Sequence, residues 1–462
     1  MRFGRFVTER LHADRLRSMR QLVGRTVRPA LGADDPATFG WFVISAGSVA
    51  RLAIGLVASV IVARTFGPAN LGIYATLAAV AATVGAFGEF GLTESAVRRI
   101  ALNWPESPAA ARSTASSYVW LRTGASLLVV GALVLLLPLG ASLGLLPAHQ
   151  RLVLLALLGV VATGLSGAIS GILQATGRFT QLTFVMIANA LLTAIAAIVL
   201  RLSGMLNLTS ALIVLGIGTS LATFAFGMRF LPPALDLTMP KHSELRIEGR
   251  KLFGFGLWLW LANSLAMVAA QLDLLLAGHW LTPAAVGTYA LAVSLAAKGS
   301  VLNQSLHAAL LPFASSLRSR EAVTRYLRRG LVRSTAIALL LLLALPVARP
   351  AIPLIFGSVY GPAVTLFLAL LGVAVFDLFA APILLLAFSA DQPRLIAGAD
   401  ALRVLVLAIA AIALVPLIGA YGLVLAKLAA TVAGFALTVI VLGSRHLRAS
   451  CEDQASPSLI EP

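Results

Sequence analysis

The chain of 462 residues is 59% hydrophobic and only 11% charged, with a mean hydropathy of +0.94. Soluble domains carry about 25% charged residues, so this composition excludes a soluble globular protein and points to one that lives in a bilayer. The net charge of +17 raises nucleic acid as a partner; the single Cys451 excludes a disulfide framework, and the six scattered histidines give no metal-ligand pair.

Residues 1–39 are basic and read as a partly helical tail lying on an anionic inner leaflet. Their start could pass for the n-region of a signal peptide. The apolar segment that follows is too long for an h-region and contains Arg51, so it is read as a true first span. A spanning helix needs about 20 apolar residues. Segments of that kind fall at 40–63, 70–97, 115–138, 152–175, 180–200 and 207–229, and again at 252–281, 284–310, 331–348, 362–388, 395–415 and 421–442. The expected organisation is an N-lobe over 40–230, a cytoplasmic linker over 231–251, a C-lobe over 252–445 and a cytoplasmic tail over 446–462. Twelve spans separated by short loops leave no room for a soluble domain.

Lys and Arg set the orientation. With both termini in the cytoplasm, the inner segments gather the basic N-terminus, Arg98, Arg99, Arg112 and the clusters at 229–251 and 318–333. The outer loops then hold Arg64, Arg151, Arg201 and Arg349. Most of the positive charge is therefore explained by orientation and by affinity for anionic lipid, which removes the nucleic-acid reading.

A shift of 215 residues lays Pro68, Ala69, Gly72, Tyr74 and Ala75 on Pro283, Ala284, Gly287, Tyr289 and Ala290. The match lies at the same junction, between the first and second span of each half. Six spans per half keep both halves in the same orientation, so the repeat is parallel about an axis along the membrane normal. Two like bundles with a site between them is a transporter architecture. The stretch Arg64-Thr-Phe-Gly-Pro-Ala-Asn-Leu-Gly-Ile-Tyr-Ala75, running on to Gly88-Glu-Phe-Gly-Leu92 and Arg98-Arg99, resembles the signature of the O-antigen and polysaccharide flippases. These belong to the multidrug/oligosaccharidyl-lipid/polysaccharide exporter superfamily. The resemblance implies an all-α integral membrane protein with two six-helix lobes, V-shaped around a central cavity, in a bacterial inner membrane. It also implies a flippase that moves an isoprenoid-diphosphate-linked oligosaccharide by alternating access for surface polysaccharide synthesis. Its partners would be that lipid, the surrounding membrane lipids and a polysaccharide polymerase, with no cofactor.

Ionisable groups inside a membrane cost about 2.5–3.5 kcal/mol each on insertion scales, so each calls for a partner or a function. Counting about 1.5 Å per residue places Arg51 about 16 Å and Glu89 about 13 Å above the inner face. Arg403 falls at about 13 Å, and Lys298 lies about 21 Å from the outer face of a ~30 Å core. The expectation is an Arg51–Glu89 ion pair or a shared polar cavity. Arg51, Lys298 and Arg403 would then hold a diphosphate while Glu89 tunes Arg51. Asn303 and Gln304, which occupy the repeat position of Gly88-Glu89, would line the cavity and bond sugar hydroxyls or neighbouring helices. Asp377 reads as a proton or cation site or as a structural partner. Blander expectations attach to the rest. Arg122 and Lys427 snorkel to the nearest face, Asp273 is solvated near the outer face, and Asp400 neutralises Arg403 at i,i+3. Glu94 pairs with Arg98, and the Gly164, Gly167 and Gly171 run permits close helix packing.

No P-loop, nucleophile elbow or zinc pattern occurs, and the short outer loops carry no acidic or His cluster, so an enzyme is not expected. The competing readings are a cation-coupled multidrug exporter of the same superfamily, a peptidoglycan-precursor flippase and a membrane scaffold.

Overall fold

The computed structural model describes residues 36–104, 106–142, 150–315, 320–386 and 393–455. All regular structure among them is helical. The first half comprises α1 Pro36–Glu89, α2 Leu92–Asn103, α3 Pro108–Ser142, α4 Gln150–Ala175, α5 Phe179–Leu202 and α6 Leu208–Met228. The second comprises α7 His242–Trp280, α8 Pro283–Ser315, α9 Arg320–Leu342, α10 Ala344–Phe356, α11 Gly361–Leu384, α12 Pro393–Ile418 and α13 Ala420–Ala455.

α1 is broken at Gly67, whose φ of 65° and ψ of 176° lie outside the helical region. Glycine adopts that conformation without a Cβ penalty, and Pro68 then starts the second arm without needing a backbone N–H partner. Ala58 and Val62 of the first arm and Ala78 and Ala82 of the second line one cavity, so the chain doubles back at this break.

Eight described helices are long and apolar enough to span a membrane, or nine if the bent pair α9 and α10 is one span. These eight or nine are counted among the described residues alone and neither meet nor contradict the twelve expected from sequence. In that count α1 enters once, although it holds two helical arms that meet at Gly67. Two flanking stretches are partly helical. Helix α7 begins at His242, inside the stretch read as a linker, where Glu244 accepts from the Lys241 backbone N–H and closes the first turn. Helix α13 continues to Ala455, into the stretch read as a tail. Most of the basic segment 1–39 lies outside the described residues.

Large apolar side chains such as Leu135 and Leu202, both 82% exposed, cover the outside. Lipid is as apolar as leucine, so burial alone does not hold such helices together; close packing and polar contacts do. In the first half Ala58, Val62 and Phe66 pack on Ala194, Ala197 and Leu215. In the second, Tyr289 packs among Leu366, Leu407 and Leu423. The halves meet where their repeats meet. A methyl added at Gly72 would overlap the Pro283 carbonyl oxygen, and one at Gly287 would overlap the Pro68 carbonyl oxygen. The two copies of the Pro-Ala-x-x-Gly motif thus face each other reciprocally, as an axis between like halves requires.

The same end, here called the Gly72 end, carries further bonds between halves. Arg64 donates to the carbonyls of Ile355 at 2.6 Å and Leu354 at 2.5 Å. These are carbonyls of the last turn of α10, which has no intrahelical partner for them. Tyr360 Oη donates to the Ala63 carbonyl at 2.9 Å, inside a cluster of Ala63, Leu291, Ile352 and Phe356. At the opposite, basic end, α7 crosses onto the first half. Glu248 accepts from Thr114 at 3.0 Å and from Lys251 at 2.8 Å, and stands 3.6 Å from Arg99.

Candidate substrate cavity

A cavity of about 960 Å³ lies between the halves. Both arms of α1, with α5, α6, α7, α8, α11, α12 and α13, contribute to its wall. Most of that wall is alanine and leucine. Its charged groups come from the second half: Asp377 of α11, Asp400 and Arg403 of α12, and Lys427 of α13.

Arg403 is set by two features. Its guanidinium stands 3.6 Å from Asp400, one helical turn earlier, as the i,i+3 spacing predicts. Its stem lies in the notch left by Gly434 of α13, where an added methyl would come within 2.7 Å of Cγ. The Arg403 Nε is buried without a hydrogen-bond partner. Asp377 lies within the field of Arg403 and Lys427. Lys427 does not snorkel outward, and Asp273 is not solvated. Asp273 is completely buried; its Oδ2 accepts from Lys427 Nζ at 2.6 Å and from Tyr289 Oη at 2.9 Å. Its Oδ1 accepts from the Leu274 N–H at 2.8 Å. The reason is steric: α7, α8 and α13 pack so that an aspartate near the end of α7 faces inward, where among the described residues Lys427 and Tyr289 are the side chains that donate to it.

A second cavity, about 730 Å³, adjoins the first and shares Tyr74, Ala78, Ala82, Ala266 and Ala270 with it. Glu89 lines it but does not meet Arg51. Its partner is Arg122 of α3, at 2.7 Å, and Arg122 also donates to Thr93 and, at 3.2 Å, to Tyr118. Arg51 is exposed and joins none of the ion pairs among the described residues. The expected Arg51–Glu89 pair is thus replaced by Arg122–Glu89, and Arg122 does not snorkel. Counting residues gave Glu89 a level in the membrane. It could not say which neighbouring helix the carboxylate faces.

The glycine run of α4 has a sharper role than close packing alone. Added methyls would meet Ser126 at Gly164, Arg122 at Gly167 and the Tyr118 hydroxyl at Gly171. Its smooth face is the floor on which this network lies. Between Glu89 and Leu92 the helix is interrupted: Phe90 has φ 48° and Gly91 φ 66°, both left-handed. Such a conformation is uncommon for phenylalanine and is held by neighbours. Here Phe90 stacks on Trp260 of α7 at 5.3 Å and 17°. The Trp260 indole N–H donates to the Phe87 carbonyl at 3.1 Å. The break turns Glu94 into the same cavity, where it accepts from Asn263 at 2.8 Å.

The structure therefore brings Arg403 and Asp377 to the central cavity and Glu89 to the adjoining one. Lys298 of α8 is half-buried, donates to the Ser294 carbonyl at 3.4 Å and is not among the lining residues. Asn303 and Gln304 lie on α8, but their side chains fall outside the described residues. Sequence reasoning missed Gly434, Trp260 and Asn263. It also missed the π-helical stretch Ala211–Gly218 of α6, which lines the central cavity through Leu215 and the second through Leu212 and Gly216. Such π segments are frequent at functional sites; the uniformly apolar sequence there offers no signal for one.

Residues 38–318 match the model of the family described as polysaccharide biosynthesis protein. No curated protein sequence matches the chain. Among solved structures, the lipid II flippase MurJ in an inward closed conformation aligns with a TM-score of 0.68 at 14% identity, covering 87% of each chain. An inward-facing multidrug resistance MATE family transporter of the MOP superfamily aligns with a TM-score of 0.65 at 15% identity, covering 88% of this chain and 96% of that one. The eukaryotic MATE transporter AtDTX14 aligns with a TM-score of 0.61 at 15% identity, covering 88% and 95%. At such identities the likeness is one of fold: the all-α membrane architecture expected from sequence is the one these proteins share.

Proposed function

This chain belongs to the polysaccharide biosynthesis protein family, and from that premise we propose that it is a carrier that moves an isoprenoid-diphosphate-linked oligosaccharide across the bacterial inner membrane. The observation that carries the reading is the cavity of about 960 Å³ between two like halves, in a chain of that family. The cavity is large enough for a sugar headgroup, since ligand sites commonly enclose about 300–1,000 Å³. In the proposed orientation, with both termini cytoplasmic, the Gly72 end faces outward and is sealed, so the substrate loads from the basic end. Alternating access then means breaking the Gly72 seal and making one at the basic end. A polymerase that consumes the exported units is the proposed partner.

Within the diphosphate trio, Arg403 has the best support because it is the member that lines the central cavity. Its planar fork suits phosphate oxygens. The assay is flipping of a fluorescent polyprenyl-diphosphate oligosaccharide in proteoliposomes. Arg403→Ala should lower the rate at least about tenfold, the worth of one charge-assisted contact. Gly434→Leu should do nearly the same by evicting the Arg403 side chain, while both proteins still assemble in the membrane. Wild-type rates in both variants would remove Arg403 from the site; no flipping by the unmodified protein would remove the function.

One observation favours the drug-exporter reading. The described cavity walls carry Asp377, Asp400, Glu89 and Glu94 against Arg403, Lys427 and Arg122, so they are not the cationic surface expected from the sequence. Efflux of a cationic dye such as ethidium, tested in the same proteoliposomes, separates the two: transport of the dye without the glycolipid would establish the exporter.

A further inference from the structure

We infer that the second cavity, framed by α1, α3, α4 and α7, is a subsite for the hydroxyl groups of an uncharged sugar, separate from the place where a diphosphate would bind. The inference rests on the glycolipid reading above and names where its glycan is recognised.

Two polar atoms of lining side chains are buried without a hydrogen-bond partner: Glu94 Oε2, an acceptor, and Arg122 Nε, a donor. Buried polar groups are rarely left unpaired, and each such exception asks for a reason. The two orphans have opposite hydrogen-bonding sense. A phosphate offers acceptors only and an ammonium offers donors only. A hydroxyl both donates and accepts, so of these three groups it is the one that carries both senses.

The charge balance agrees. Glu89 and Glu94 stand against Arg122 alone, and Arg122 is already committed to Glu89 at 2.7 Å. A diphosphate would meet net negative charge there; a neutral sugar would not. Trp260 adds the apolar surface that sugar C–H faces prefer. It is held rigid by the Phe90 stack and by its indole bond to Phe87, and it also lines the cavity. Glycines and alanines on the walls, among them Gly85, Gly159 and Gly164, leave width for a ring. The left-handed break at Phe90 and Gly91 is what places Glu89 and Glu94 in this one cavity.

The test uses the full protein in lipid nanodiscs and two fluorescent probes, polyprenyl diphosphate carrying a neutral trisaccharide and polyprenyl diphosphate carrying none. Wild type should bind the sugar-bearing probe more tightly. Trp260→Leu and Glu94→Leu should each weaken that probe about tenfold and change the sugar-free probe by less than about twofold. Trp260→Phe and Glu94→Gln, which keep a ring and a hydrogen-bonding carbonyl, should retain most of the affinity and thereby show that the leucine variants fail for chemistry rather than folding. Equal loss for both probes, or no preference of wild type for the sugar-bearing probe, overturns the subsite and leaves the cavity to solvent. Binding of neither probe by wild type removes the glycolipid reading itself, and the subsite with it.

Discussion

Leucine at Gly72 is expected to prevent the two halves from closing at that end. The physical case is reciprocal. Gly72 and Gly287 occupy equivalent repeat positions, and each lies so close to the other copy's proline carbonyl that even one methyl would overlap it. The obstacle is backbone, not a flexible side chain, so neither partner can move aside without separating α1 from α8. Forced overpacking costs about 1–3 kcal/mol, which shifts a two-state equilibrium about 5- to 150-fold away from the closed arrangement. A cysteine replacing Ser59, which lines the central cavity, reports the change in a Cys451→Ser background. Labelling by a membrane-impermeant maleimide from the outer side should rise about tenfold or more in the Gly72→Leu protein. Gly287→Leu should behave alike, because the contact is mutual. Leucine at Gly55, where an added Cβ meets nothing within 4 Å, should leave labelling unchanged. Equal labelling in all of them would mean that the glycine pair does not control access.

The second large effect concerns stability. Lys427→Met removes the cation that faces Asp273, a carboxylate with no exposed surface. Breaking a buried pair by deleting one member costs about 3–5 kcal/mol because the remaining charge stays buried. Lys427 is 27% exposed, and Tyr289 and the Leu274 N–H still donate to Asp273, so the lower end, about 3 kcal/mol, is expected. Thermal unfolding in detergent should show a clear fall in midpoint. The double variant Asp273→Asn, Lys427→Met should recover most of it, since no charge then remains unpaired. If Lys427→Met unfolds at the wild-type temperature, or the double variant is no better than the single, the pair is not structural and its place beside the cavity must be explained by function.

Several features of the site could be read along the chain. Glu89 stood out because a carboxylate inside an apolar run is costly wherever it ends up. Asp400–Arg403 followed from spacing alone, since i,i+3 residues share a helix face whatever the fold. The glycine and proline positions common to both halves marked the axis between them, because only a residue without a side chain tolerates two backbones in contact. The partner of Glu89 was not readable in this way. Counting residues puts Arg51 and Glu89 at similar depth on sequential segments, yet Arg122 reaches the carboxylate and Arg51 is exposed. Lys427 and Asp273, each assigned to a nearby face, turned out to be partners across 154 positions of sequence. Trp260 and Asn263 looked like ordinary members of α7 until that helix was seen to cross onto Phe87, Phe90 and Glu94 of the first half.

By itself, then, the sequence determined that the chain lives in a membrane and that its halves repeat. These are properties of one dimension: hydropathy, spacing and rise per residue survive any arrangement of the helices. Tertiary structure decided which charge meets which and where the cavities lie. Those depend on the rotation of each helix about its own axis, and small residues such as Gly167 and Gly434 mark where a long side chain, Arg122 or Arg403, packs against the neighbouring helix.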